Sequence, residues 1–181
     1  MVGQALENRS EFGIVLAQEQ GIVSVGCTVF VEEVLQRYDD GRLDILCRGS
    51  RRFEIVMIDE EKDYLRARVQ FFDDEQTEAA AELRARALEA WEQAKPLLPE
   101  EPEVAPDVTQ ARFSFQLAET VPDLNARQLL LQSRDEEERL KRLISFFSTY
   151  ATRQARVEHA RRVAPTNGHG PMNGNSPALE S

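Results

Sequence analysis

Apolar and polar residues alternate with a period near two across residues 12–72 and recur every three to four positions after residue 76, so a β-rich part precedes a helical one. Two β-rich runs, 28–35 (TVFVEEVL) and 43–48 (LDILCR), flank Tyr38, Asp39, Asp40 and Gly41. Glycine accepts φ > 0 without steric cost and aspartate tolerates it, so Asp39, Asp40 and Gly41 are assigned to a hairpin turn. Gly49 is assigned to a second turn, after which 53–58 (FEIVMI) reads as a third strand of an antiparallel meander. A three-residue loop would set Val34 beside Leu46, Leu35 beside Ile45 and Glu32 beside Arg48, whereas a two-residue loop would pair Val34 with Cys47. The first is preferred for its opposite-charge pair.

Around this meander, Val2, Ala5 and Leu6 have helical spacing in 1–8 (MVGQALEN), 12–16 (FGIVL) is a short buried strand, and 17–25 is a polar connection with room for an edge segment. Leu65, Ala67, Val69 and Phe71 alternate with Arg66, Arg68 and Gln70, which marks a strand with one solvated face. Asp73, Asp74 and Glu75 end the β-rich part and open a helix over 76–95, with Ala80, Leu83, Ala87, Trp91 and Ala94 on one stripe and Pro96 as its stop. Pro96, Pro99, Pro102 and Pro106 then define a loop. Further helices are expected over 108–119 with Asp107 as cap, over 125–132 with Asn125 and Gln128 as a capping box, and over 134–160 with Ser133 and Glu136 repeating that device. Leu140, Leu143, Ile144, Phe147, Tyr150 and Ala151 give the last helix its apolar face. Acids at its start and Arg153, Arg156, Arg161 and Arg162 at its end complement the helix dipole. From Pro165 the composition turns to Gly, Asn, Pro and Ser, a disordered tail. The boundaries are therefore 1–73 for the β-rich subdomain, 74–106 for a helix and Pro-rich linker, 107–163 for a helical subdomain and 164–181 for the tail.

Charge and residue inventory narrow the function classes. A net charge of −10 opposes a nucleic-acid or anionic-membrane surface, since both require a positive field. Cys27 and Cys47 lack C-x-x-C spacing and read as buried thiols rather than a disulfide framework or zinc site. No secretory leader and no apolar run of about 18 residues is present, so a cytoplasmic protein is expected. No glycine precedes a lysine, which removes the phosphate-binding P-loop. A catalytic lysine must be desolvated to lose its proton, and Lys62, Lys95 and Lys141 all stand in charged or helix-end settings. The only histidines, His159 and His169, lie at the end of the last helix and in the tail, leaving either cysteine without an imidazole. Asp39, Asp40, Gly41 and Asp44 lack the order of an EF-hand loop, and the neighbouring acids Glu60-Glu61 and Asp73-Asp74 read as solvated turns. Arg48, Arg51 and Arg52 are expected to pair with Glu32 and Glu33. No catalytic residue, metal site or cofactor is expected.

Several segments carry a family resemblance. FGIVL (12–16), Gly26-Cys27 followed by TVFVEEV (28–34), YDDGRLDIL (38–46), GSRRF (49–53) and YLRARV (64–69) resemble, in order and spacing, the N-terminal substrate-recognition domain of the ATP-dependent protease Lon. Gln128-Leu129-Leu130-Leu131 and Glu138-Arg139-Leu140 resemble that family's helical subdomain and extend the likeness to about Tyr150. The resemblance implies an α+β fold: a partly open antiparallel β-barrel, PUA-like and of the Lon N-terminal type, followed by a helical subdomain. It also implies a stand-alone member without ATPase or peptidase modules. Its function would be ATP-independent binding of exposed apolar segments of other proteins, in quality control beside a protease or chaperone, with no nucleic acid and no membrane as partner. Candidate peptide contacts are Phe12, Phe30, Phe53, Trp91, Phe113 and Phe115, each of which also suits a packed core. The family's opening Leu- and Pro-rich strands have no counterpart before residue 1, so an internal Met is the expected start and a homodimer through the exposed strand edge the expected consequence. A small-ligand or nucleotide-binding protein on a PUA-like barrel is the second reading.

Overall fold

In the computed structural model, which describes residues 1–59, 64–100, 102 and 104–163, the first half of the chain is a four-stranded antiparallel sheet ordered β1-β2-β3-β4 and not closed into a barrel. A short helix, α1 (Val2–Asn8), precedes β1 (Phe12–Gln18), β2 (Gly21–Arg37), β3 (Leu43–Asp59) and β4 (Arg66–Phe71). Tyr38 N donates to Arg42 O and Gly41 N to Tyr38 O, both at 3.0 Å, closing a three-residue loop in which Gly41 takes φ +88°. A side chain at that φ would be strained.

The expected register holds only beside this loop. Gln36 faces Asp44 and Arg37 faces Leu43, but shifts between Val34 and Gln36 and between Val31 and Glu33 put Val34 opposite Ile45 and Phe30 opposite Arg48. Bulges of this kind accommodate the twist of long strands, and counting outward from a turn cannot place them. Arg48 nevertheless reaches Glu32 diagonally, Nε to Oε1 at 2.5 Å.

Two further expectations are corrected. Gly49 is not a turn: β3 runs through it for 17 residues, with Gly49 opposite Val29 next to another register shift. Residues 17–25 are not a polar connection, because the chain reverses at Glu19 and Gln20 and β2 begins at Gly21. The sheet buries few apolar side chains, chiefly Val25, Val29 and Phe53. The Phe53 ring lies against bare backbone: a Cβ on Gly26 would stand 2.4 Å from Ile14 O and 2.7 Å from Phe53 Cζ.

The second half comprises α2 (Ala81–Ala94), a 3-10 turn (Lys95–Leu97), α3 (Phe113–Ala118), α4 (Leu124–Gln132) and α5 (Glu136–Val163). α2 and α5 run in the same direction, since Gln76 bridges Asp135 before both helices and Tyr150 Oη donates to Leu97 O at 3.1 Å near the other end. Leu83, Ala87, Trp91 and Ala94 meet Leu140, Leu143 and Phe147, with Phe113, Leu117, Val121 and Leu130 completing a core built entirely from helices and the turns between them.

Helix starts differ from expectation because side chains and backbone found better partners. α2 begins at 81 rather than 76: Glu75 N and Gln76 N donate to Arg134 O, and Glu136 N donates to Gln76 O, which holds the segment extended. Asp107 accepts from Thr109 N at 2.9 Å and so closes a turn, leaving α3 to start at Phe113. Asp123 caps α4 through Ala126 N at 2.8 Å, and Asp135 receives Glu138 N at 3.0 Å at the start of α5. Asn125, Gln128 and Glu136 are thereby released from the capping roles expected of them. The expected tail 164–181 and the pair Glu60-Glu61 lie outside the described residues.

The close approach at Gly26 is testable by urea denaturation. Gly26→Ala is expected to lower stability by about 1–3 kcal/mol through overpacking, whereas Gly3→Ala, with nothing within 4 Å of the added Cβ, should leave it unchanged or slightly raised.

Candidate functional site

One face of the sheet is an apolar trough that runs from edge to edge. Residues paired across an antiparallel ladder share a face, and the pairs Gly26 with Phe53 and Ile55 with Val69 place these side chains together. Phe53 and Ile55 of β3, Gly13 and Val15 of β1, Ile22 and Thr28 of β2, and Ala67 and Val69 of β4 line a cavity of about 420 Å³. Ile58 and Leu65 stand at its margin, 42% and 56% exposed. β1 and β4 are the terminal strands, so each presents one row of backbone groups with no strand partner among the described residues. An extended polypeptide can add to such an edge by main-chain hydrogen bonds while its side chains enter the trough. A smaller apolar groove of about 280 Å³ lies between α4 and α5, lined by Val121, Leu129, Leu130, Leu143 and Phe146.

The trough's position relative to the helices is set by buried charge. Asp74, in the segment leaving β4, has a side chain only 1% exposed, whereas its neighbour Asp73 is 90% exposed. Arg139 of α5 donates to both Asp74 oxygens at 2.8 Å, to Glu136 Oε2 at 2.7 Å, to Ser114 Oγ at 2.8 Å and to Ser133 O at 2.9 Å. All five guanidinium donors are thus engaged. Arg52, from β3, donates to Asp74 as well, and to Leu131 O at 3.1 Å and Ser133 O at 2.7 Å. Glu136 also accepts from Ser114 N at 2.8 Å and Ser114 Oγ at 2.6 Å. Burial pushes the Asp74 carboxyl up, but hydrogen bonds and charge from Arg139 and then Arg52 outweigh it and hold it below the usual carboxylate range. Arg139 is shifted the opposite way: burial opposes its charge, while Asp74 and Glu136 more than offset that.

The candidate contacts proposed from sequence are dispersed. Phe53 is the floor of the trough. Trp91 and Phe113 are buried in the helical core, with Trp91 Nε1 donating to Thr120 Oγ1 at 3.0 Å. Phe115 sits at the junction, 4.5 Å from the Arg139 guanidinium and 5.4 Å from that of Arg52. Phe12 is half-buried opposite Val29, and Phe30 is exposed beside Ala5 and Leu6 of α1. Two pairings are corrected: Arg51 meets Glu11 at 3.4 Å and Arg52 meets Asp74, not Glu32 or Glu33. The Asp73-Asp74 turn is solvated only at Asp73. Sequence reasoning also missed Ile55, Ile58, Leu65 and Val69 as lining residues. Burial raises the Cys27 thiol above its usual range, against a nucleophilic role. Among the described residues no cluster of three or more His, Cys, Asp or Glu could hold a metal, and no helix is long and apolar enough to cross a membrane.

The family model of the ATP-dependent protease La (LON) substrate-binding domain matches residues 1–149. Among solved structures, the Lon N-terminal domain protein from Xanthomonas campestris is 25% identical, with 80% of each chain covered and a TM-score of 0.61. The N-terminal domain of Mycobacterium avium complex Lon protease shares the fold at 22% identity, over 76% of this chain and 77% of that one, with a TM-score of 0.54. Among curated proteins, none matches this chain.

Asp74→Asn leaves Arg52 and Arg139 buried against a neutral amide, and a loss of about 3–5 kcal/mol is expected in chemical denaturation. The pH dependence has a definite sign. A carboxyl held below its ordinary value of 3.8 contributes stability that is present above that value and is lost as the pH falls through its folded-state value. The parent protein should therefore lose stability on acidification below about pH 4, more steeply than Asp74→Asn, as read from melting temperature against pH.

Proposed function

The chain belongs to the LON substrate-binding domain family, and from that membership we propose that it is a non-catalytic, ATP-independent module that binds exposed apolar segments of other proteins in extended form. The observation that carries this reading is the apolar trough of about 420 Å³ flanked by the open edges of β1 and β4. The edges supply main-chain hydrogen bonds of no sequence preference, and the trough takes every second side chain of an incoming strand. Val15, Ile22, Phe53, Ile55 and Val69 favour aliphatic or aromatic side chains there. Such segments are exposed when proteins unfold, so a protease or chaperone acting on the captured chain is the partner class that fits. The free thiols of Cys27 and Cys47 suit a reducing compartment, the cytoplasm. No glycine precedes a lysine to form an ATP-binding P-loop, and binding of this kind requires no hydrolysis.

Fluorescence anisotropy with a labelled, unfolded casein-like polypeptide tests the proposal. Ile58→Asp with Leu65→Asp changes two exposed side chains at the trough margin. Binding is expected to weaken about tenfold or more, because burying one large apolar side chain is worth about 1.5–3 kcal/mol and about 1.4 kcal/mol is a factor of ten. Undiminished binding by the variant would remove the trough from the reading. Stabilisation by small ligands in a thermal-shift screen, without any polypeptide binding, would favour a ligand-binding protein instead.

A further inference from the structure

The trough has chemically unlike ends. Ile58 and Leu65 stand at one of them. At the other, β4 finishes with Phe71, which faces Phe53 across the ladder and meets its ring edge-on at 6.5 Å between centroids. Arg51 lies where the register between β2 and β3 shifts, and it lays its guanidinium 3.8 Å over the Phe71 ring. Thr28 fixes its backbone there: Arg51 N donates to Thr28 Oγ1 at 3.1 Å, and Thr28 Oγ1 donates to Arg51 O at 3.3 Å. The guanidinium itself is little used. Among the described residues its one acceptor is Glu11 Oε2, 3.4 Å from Nη2, which leaves Nε and Nη1 to the solvent side. Glu11 is the recessed member of this pair, its side chain 19% exposed against 57% for Arg51, and it also accepts from Ser50 Oγ at 3.3 Å. The other acid beside this end, Asp73, turns to Arg112 at 3.5 Å.

We propose that Arg51, stacked on Phe71, is a specificity-determining subsite that takes a carboxylate, so that the preferred polypeptide carries an aspartate or glutamate at one end of its apolar stretch. This rests on the reading of the trough as a polypeptide site. Stacking uses the face of the guanidinium and holds its plane, which leaves the N–H edge free to meet a carboxylate with two parallel hydrogen bonds. Phe71 closes an open-edge strand, so the subsite serves segments added along β4. Ala67 and Val69 line the trough and Phe71 continues their alternation, so an added strand sets every second side chain opposite these three. Every pairing among the named strands is antiparallel. A segment that continues the pattern runs from Phe71 toward Ala67 and presents the order acid-x-apolar-x-apolar. A basic residue at the first position would meet Arg51 as a like charge, so the subsite also gives an otherwise unselective apolar surface a preferred register.

Fluorescence anisotropy on the full chain decides this, with short labelled peptides that differ only in carrying Glu, Gln or Lys two residues before the first of two alternating leucines. At roughly 50 mM salt the Glu peptide is expected to bind about threefold to fivefold more tightly than the Gln peptide, the scale of an exposed ion pair, and the Lys peptide more weakly than either. The difference should shrink at roughly 500 mM salt through screening. Arg51→Glu should reverse the order of the Glu and Lys peptides. Arg51→Gln, which adds no acid beside Glu11, should abolish the preference for Glu over Gln. An arginine that served only to hold Glu11 would instead weaken all of the peptides alike when replaced. Equal binding of the peptides by the parent would overturn the proposal and leave the trough as a polypeptide site, as would a preference for Glu that survives Arg51→Gln. Binding of none of them, nor of the casein-like polypeptide, would remove the polypeptide reading of the trough and this subsite with it.

Discussion

Two guanidinium groups are buried where the sheet meets the helices, and neither could remain there uncompensated. Moving an ion out of water costs several kcal/mol even after relaxation, and only close, fully hydrogen-bonded partners offset it. Arg139 meets that condition with every donor engaged, and Arg52 meets it by sharing Asp74. Two positive and two negative groups, Arg52, Arg139, Asp74 and Glu136, thus form a neutral set drawn from β3, α5 and the segment between sheet and helices. Ser114 ties α3 into the same set. Because the packed apolar core lies entirely in the helical half, the seat of the sheet on the helices rests on this polar junction. Gln128, donating to Val25 O at 2.9 Å, and Gln18, donating to Asn125 Oδ1 at 3.1 Å, add contacts beside it.

With its attachment carried by polar groups, the sheet has little need to bury apolar surface of its own. Val25, Val29 and Phe53 are its buried apolar residues besides Ala5 of α1, so most other apolar side chains of the strands remain partly accessible. Glycine at positions 13 and 26 lets Phe53 sink onto the backbone, with a Cβ on Gly13 only 3.0 Å from its ring. The floor of the trough is therefore fixed while its margin at Ile58 and Leu65 stays open. An apolar surface kept open in this way suits recognition of other apolar chains better than recognition of one rigid shape.

Much of the fold is legible in the sequence because the relevant signals are local. Alternation of Leu65, Ala67 and Val69 with Arg66 and Arg68 is a property of the pleat, and the stripe through Leu83, Ala87, Trp91 and Ala94 is a property of the helix. The family resemblance adds the α+β arrangement and the helical second half. What stays hidden depends on tertiary partners. Asp73 and Asp74 are chemically equivalent neighbours, and only the presence of Arg52 and Arg139 on one side makes Asp74 the buried member. The hairpin register departs from expectation for a similar reason: bulges answer to the twist of the whole ribbon, not to the turn at Gly41. One clue is present in the sequence. Glu136, Arg139, Leu140 and Leu143 have the spacing of a single buried stripe on α5, so two opposite charges three residues apart already occupy core positions.

A polar junction also resolves a conflict that an apolar one would create. Apolar contact is non-directional, and a chain that exposes an apolar trough could satisfy a second apolar surface at the junction in several ways, including by folding the trough against its own helices. Replacing a buried ionic set by well-packed apolar residues is often neutral or stabilising in other proteins, so stability alone does not account for four charges in this position. Direction does. Bidentate Arg139 on Asp74 accepts one orientation, and Ser133 O, which receives both Arg52 and Arg139, fixes the start of α5 to the same point. The helices can then be held against one face of the sheet without being drawn into the other. In this arrangement the buried charge orients the helices on the sheet, while apolar side chains of the trough such as Ile58 and Leu65 stay accessible.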